Sequence, residues 1–184
     1  TFLVNSEIRK KIKKIKKKQK LLDKIKQNKI INKLDFILTN DQKKTLEEIN
    51  NDLSSTNKMF RLLQGDVGSG KTIVSLIAAY NSINSGFQVA VMAPTEILAR
   101  QHYNFSKKLF PKEINIELIS GKSEYKTKKE ILRKLADNEI DIIFGTHAIF
   151  QKKVNFNNLG LIIIDEQHKF GVNQRKLLSD KGGN

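Results

Sequence analysis

The sequence predicts an α/β fold: a parallel sheet with helices on both faces, preceded by a basic N-terminal helix. Three observations point there. From Phe36 onward, strand patterns and helix patterns alternate, as they do when each strand is reached through a covering helix. A glycine-rich turn lies between one such strand pattern and the next helix pattern. The run Leu161-Ile162-Ile163-Ile164 is apolar at every position, which suits a central parallel strand covered on both sides.

The elements follow in order. Met59–Gln64 is a short strand candidate that leads into the glycine turn. Thr72–Ile83 has the helical period and should stop near Ser85-Gly86, a helix-end signal. Gln88–Ala93 reads as a strand ended by Pro94, and Glu96–Leu109 as a helix. Ile116–Ser120 is a strand, and Glu124–Ala136 is a helix with Ile131, Leu132 and Leu135 on one side. Asp141–Gly145 and Leu159–Ile164 complete the strands. No internal repeat is present. Upstream, Ile8, Ile12, Ile15 and Leu22, with Gln19 filling the gap, mark one face of a lysine-rich helix, and Asn28 to Asp35 reads as a junction.

Composition narrows the function classes. The 184 residues suit one domain plus an extension, and 39% hydrophobic content is enough for a buried core. The chain begins at Thr1 and stops just after a helix-like stretch, so it reads as a fragment. With no cysteine, disulfides, zinc-thiolate sites and thiol chemistry are excluded. No apolar run is long enough to span a membrane, and a cytoplasmic location is expected. The net charge of +15 is uneven: residues 1–34 hold 13 Lys/Arg against two acids, Glu7 and Asp23. Such an arm either attracts phosphate backbones or forms a solvated face, and the Lys-, Ile- and Asn-rich composition throughout the chain fits the second reading as well.

Gly65-Asp66-Val67-Gly68-Ser69-Gly70-Lys71-Thr72 fits G-x-x-x-x-G-K-T between a predicted strand and a predicted helix. Glycines let the backbone curl until several N–H groups face one phosphate chain, and a helix N-terminus adds a favourable dipole. Lys71 can then reach the β- and γ-phosphates of ATP, and the Thr72 hydroxyl can ligate Mg²⁺. Asp165-Glu166 emerges from the C-terminal end of the apolar strand, the edge where open parallel sheets bind ligands. Asp165 suits Mg²⁺ held through water, and Glu166 suits orienting and deprotonating the attacking water. Upstream, Phe36 can pack on a base, and Gln42 can pair with adenine in two places. Thr39-x-x-Gln42 is equally a capping box, and the two roles compete for one side chain. His102, His147 and His168 lack metal-ligand spacing.

Taken in order, Thr39/Gln42, the GDVGSGKT loop, Ala93-Pro94-Thr95-Glu96, Gly145-Thr146-His147 and Asp165-Glu166-Gln167-His168 form a series that resembles the first motor domain of superfamily-two helicases. Within that superfamily, MAPTEILARQH, GTHAIFQ and IIDEQHKFGV resemble the RecG family over roughly residues 36–181. The resemblance implies a RecA-like P-loop NTPase domain at 36–184, and a basic helical linker at 1–35 that joins it to a wedge domain. It implies DNA contacts at Pro94, Thr95, Glu96, Ser120, Gly121, Thr146 and His147, and coupling to a second motor domain through Gln167 and His168. Plain helix capping is the competing role for Thr95 and Thr146. The resemblance further implies a monomer acting on branched or forked DNA. Its partners would be the wedge and a second motor domain of its own chain, the latter supplying the arginine for phosphoryl transfer.

The transcription-repair coupling translocase is the nearest rival, although GTHA with DEQH favours RecG. The primosomal helicase is a more distant third. A nucleotide-binding module without turnover is a different class, and intact Lys71, Thr72, Asp165 and Glu166 speak against it. A transporter ATPase should show an LSGGQ-like signature, which residues 73–160 lack. Lys71→Ala is expected to abolish tight ATP binding by removing the cation that faces the phosphates. Unchanged affinity in a titration with a fluorescent ATP analogue would sink the phosphate-loop assignment.

Overall fold

The computed structural model describes residues 19–57, 59, 61–64, 69–121, 124–151 and 154–165. The chain forms two compact units, Thr1–Asn81 and Ser82–Asn184.

Unit 1 is helical among its described residues. Helix α1 spans Lys24–Ile31, and its N-cap Asp23 accepts from the backbone N–H groups of Ile25 and Lys26 at 2.9 and 3.0 Å. Two sequence expectations are corrected here. Residues 19–23 are not helical, so a single arm helix does not run on through Leu22; Asp23 starts a new helix instead. The supposed junction at Asn28 is helical as far as Ile31, because Ile30 is fully buried and anchors that turn. The arm positions Ile8, Ile12 and Ile15 lie outside the described residues.

Helix α2 spans Asn40–Ser54 and buries Leu46, Ile49 and Leu53, a stripe at helical spacing. Helix α3 spans Lys71–Asn84 and is buried along most of its length from Ile73 onward. Gln27, Asn50 and Asn81 tie the three helices together: Gln27 Oε1 accepts from the side-chain amides of Asn50 and Asn81 at 2.8 and 2.6 Å, and Asn81 also donates to Asn50 at 2.9 Å. Mutual satisfaction of this kind lets polar side chains sit in a packed interior.

The strand expected at Met59–Gln64 is also corrected. Met59 and Arg61–Gln64 form no ladder with any described residue. Arg61 instead turns back onto α2, with bonds of 2.7 Å to Glu48 and 2.7 and 2.9 Å to Asp52.

Unit 2 holds the sheet. Its strands are β1 Gln88–Met92, β2 Ile116–Ile119, β3 Ile142–Gly145 and β4 Leu159–Ile164, all parallel, in the order β2-β3-β1-β4. Val89 pairs with Ile142 on one side and Leu161 on the other, which places β1 centrally, and all five of its residues are buried. Helices α4 (Glu96–Leu109) and α5 (Tyr125–Ala136) cover the two faces. Ile131 and Leu135 of α5 pack with Ala90, Met92, Ile119 and Ile143. On the opposite side, Tyr103 of α4 meets the Phe144 ring edge-on at 6.3 Å.

Two positive-φ residues end helices. Gly86 (φ 81°) follows α3, where the Phe87 N–H reaches back to the Ser82 carbonyl and the Gly86 N–H to that of Ile83. Asn138 (φ 61°) plays the same part after α5, with Glu139 bonded back to Lys134. Both are Schellman-type ends, which favour glycine or asparagine at the left-handed position. Near the start of the sheet, the fully buried Gln88 amide donates to the Leu135 and Ile140 carbonyls at 2.9 Å each and accepts from the Asn158 N–H at 3.0 Å.

Leu135 is wholly buried against the sheet. Leu135→Ala is expected to cost about 2–5 kcal/mol, the usual range for a leucine-to-alanine cavity. A denaturant titration whose midpoint did not move would contradict this packing.

Candidate functional site

In unit 1, the described part of the glycine loop is its exit. Ser69 and Gly70 precede α3, and Lys71 and Thr72 are the first two residues of that helix. Gly70 has φ 78°, a conformation that costs glycine little and any other residue much more. The turn therefore delivers Lys71 and Thr72 at the positive end of a helix dipole, where backbone N–H groups are available to an anion. The Lys71 ammonium lies 3.3 Å from the Ser69 hydroxyl. Gly65, Asp66, Val67 and Gly68 lie outside the described residues.

Gln42 is committed at both ends of its amide. Its Oε1 accepts from the Thr39 N–H at 2.9 Å while its own N–H donates to the Thr39 hydroxyl at 3.2 Å, which completes the capping box of α2. Its Nε2 donates to the Ser69 carbonyl at 2.9 Å. This side chain thus ties the start of α2 to the end of the glycine loop, and a Cβ on Gly70 would strike its nitrogen. Phe36 and Ile37 are exposed beside it in sequence.

In unit 2, four expected motifs follow the C-terminal ends of the four strands. Pro94, Thr95 and Glu96 follow β1, Ser120 and Gly121 follow β2, Thr146 and His147 follow β3, and Asp165 follows β4. The backbone ladder runs on into this rim: Ala93 donates to the Gly145 carbonyl at 2.9 Å, and Asp165 to that of Met92 at 2.8 Å.

Thr95 caps α4, its hydroxyl accepting from the Leu98 N–H at 3.3 Å. Thr146 precedes the 3-10 turn His147–Phe150 and makes no side-chain cap bond to it; His147 is exposed. The Glu96 carboxylate is turned inward, where it accepts from the Ser120 hydroxyl at 2.8 Å and from the Gly121 N–H. Lys128 closes the same loop by donating to the Gly121 carbonyl at 2.9 Å. Glu96 therefore holds the end of β2 against the start of α4.

Two contacts escaped the sequence reading. Lys128 had no signal beyond an ordinary helical lysine. His102, set aside for want of ligand spacing, lies 2.8 Å from Asp165 through Nε2 and Oδ2, with 12% of its side chain exposed against 31% for the aspartate. Sixty-three residues separate them, so no local pattern could show the pairing. Glu166, Gln167 and His168 lie outside the described residues.

Taken separately, the Thr72 hydroxyl in unit 1 and the Asp165 carboxylate in unit 2 are each hard donors of the type Mg²⁺ takes, and Mg²⁺ uses few protein ligands. Among the described residues there is no cluster of three or more His, Cys, Asp or Glu side chains able to hold a metal by themselves. No helix among them is long and apolar enough to cross a membrane.

A family model described as DEAD/DEAH box helicase matches residues 39–181. The ATP-dependent DNA helicase RecG of Streptococcus pneumoniae is 50% identical over 151 residues, covering 82% of this chain and 22% of that protein. RecG of Bacillus subtilis is 53% identical over 153 residues, covering 83% and 22%. The chain thus spans about a fifth of the length of these relatives. A solved structure of RecG bound to a three-way DNA junction matches with a TM-score of 0.83 at 44% identity, covering 90% of this chain and 23% of that one. The UvsW helicase of bacteriophage T4 matches in fold, with a TM-score of 0.63 at 19% identity over 92% of this chain and 58% of its own.

Gln42→Ala removes the reciprocal half of the capping box and the bond to Ser69 together. It is expected to weaken ATP binding by more than its effect on the apo melting temperature would account for. A loss of affinity no larger than the loss of stability implies would reduce Gln42 to a helix cap.

Proposed function

This chain belongs to the DEAD/DEAH box helicase family, and from that premise we propose that it is the ATP-binding motor domain of an ATP-dependent DNA helicase or translocase of the RecG kind. Its substrates would be branched DNA, such as stalled forks and Holliday junctions, remodelled during recombination and repair. One observation carries the nucleotide part: a positive-φ glycine delivers Lys71 and Thr72 to a helix start, and Gln42 is anchored on the loop that precedes them.

In this reading Lys71 would neutralise the β- and γ-phosphates, and Thr72 and, through water, Asp165 would hold Mg²⁺. Bound Mg²⁺ supplies charge neutralisation on the phosphates. Gly65–Gly70 offer backbone N–H groups to the phosphates, and Glu166 orients and deprotonates the attacking water. Gln42 reads adenine by exchanging or sharing its present bonds. Pro94, Thr95, Ser120, Gly121, Thr146 and His147 line a rim that meets the DNA backbone; hydroxyls and helix starts of this sort bind phosphates without reading bases. Glu96 belongs to the same DNA-contacting set while its carboxylate braces the rim, and Gln167 and His168 couple it to a second motor domain. Residues 1–35 serve as a basic linker toward a wedge domain, and 36–184 as the motor half. A monomer working in the cytoplasm follows from the same reading.

The discriminating experiment measures Mg-ATP binding and hydrolysis by the complete polypeptide with and without forked DNA. ATP turnover stimulated by the fork is expected; turnover indifferent to every DNA tested would move the chain to another kind of P-loop ATPase. Glu166→Gln should retain ATP binding and lose hydrolysis by about 10²-fold or more, the scale of a lost general base. Near-normal turnover would remove Glu166 from that role.

A further inference from the structure

We propose that His102 is a positioning residue for the Mg²⁺-bearing carboxylate: it holds Asp165 in the orientation from which that side chain engages the nucleotide-bound ion. The proposal rests on the reading of Asp165 given above and adds to it a histidine that closes the MAPTEILARQH stretch and to which the sequence assigned no role.

The geometry is specific. His102 lies in the second turn of α4, on a side chain that is nearly buried, and its Nε2 is 2.8 Å from Asp165 Oδ2. An ionised carboxylate has no proton to give, so Nε2–H is the donor. Asp165 stands immediately beyond the last residue of β4, where its backbone is already held by the Met92 carbonyl. A fixed donor on one carboxylate oxygen restricts the side chain's rotamers in advance, so less order has to be imposed when the ion arrives. Both oxygens of a carboxylate can accept, so a bond at Oδ2 is compatible with a water-mediated contact to Mg²⁺. Carboxylates that serve metals are commonly held by a second hydrogen bond, and losing such a partner typically costs about 10- to 100-fold in metal affinity or activity.

The anchor is also rigid. Tyr103, the next residue on α4, packs edge-on against Phe144 of β3, and Ala99 one turn earlier is buried. The ring is thus borne by a helix seated on the same sheet that presents Asp165. Thr95 caps this helix, about 10 Å from His102 along the axis at 1.5 Å per residue. One rigid body therefore carries both a proposed DNA contact and the support of the metal carboxylate.

The test uses the complete polypeptide and its His102→Ala and His102→Gln variants. Binding of a fluorescent ATP analogue is titrated at increasing Mg²⁺ and again in EDTA, and apo melting temperatures are recorded. The Mg²⁺ concentration that half-saturates the enhancement of ATP binding should rise about tenfold or more in His102→Ala. Affinity in EDTA and the melting temperature should be nearly unchanged, and His102→Gln, which can still donate an N–H, should recover part of the Mg²⁺ response. An unshifted Mg²⁺ midpoint in His102→Ala overturns the proposal, as does a parallel fall in EDTA affinity and melting temperature, which would mark a merely structural histidine. If His102→Ala does not fold, His102→Phe, which keeps a ring but cannot donate, takes its place: a raised Mg²⁺ midpoint supports the role, and an unshifted one overturns it. Wild-type protein whose ATP binding ignores Mg²⁺ would instead overturn the underlying assignment of Asp165.

Discussion

Strand β1 is hydrogen-bonded to a parallel neighbour on each side and covered on both faces, and the rest of unit 2 depends on that position. Because the strands run the same way, their C-terminal ends must gather along one rim. Each chain exit then delivers its next residues there: the Thr95 cap from β1, Ser120-Gly121 from β2, Thr146 from β3 and Asp165 from β4. Four segments far apart in sequence become neighbours because a parallel ladder permits nothing else. The apolar character of β1, β3 and β4 is what makes that ladder a core.

Two described acidic groups on this rim have internal partners. Glu96 takes the Ser120 hydroxyl and the Gly121 amide, and Asp165 takes His102. A carboxylate occupied by protein donors becomes a bracket that fixes loop geometry. Unit 1 applies a similar economy to neutral groups. Gln42 spends one amide on a helix cap and a loop, and Gln27, Asn50 and Asn81 satisfy one another across three helices.

The regular elements were legible wherever local pattern and burial agree. Glu96–Leu109 and Leu159–Ile164 have the expected bounds, and the other strands and helices of unit 2 differ by a residue at an end. The misses share one cause. Leu22, the last member of the expected arm face, lies in the non-helical stretch 19–23, and Asp23 caps the helix that follows. Met59–Gln64 has strand-like composition, yet a strand exists only where a neighbour pairs with it, and Arg61 answers to acids on α2 instead. At Gln42 the sequence offered two roles, and the tertiary contact with Ser69 supplied a third bond that spacing could not reveal.

By itself the sequence determined the α/β class, the glycine turn that opens α3, the helix signals at Gly86 and Thr95, and the aspartate that follows β4. Each of these is written in residues that lie within a turn or a strand of one another, so local sterics and periodicity suffice. Only the tertiary structure decided what the charged and polar side chains at the rim touch. Glu96 reaches Ser120 across 24 residues and His102 reaches Asp165 across 63. Such pairings are created by the strand order β2-β3-β1-β4, and strand order follows from long-range packing that no local window of sequence contains.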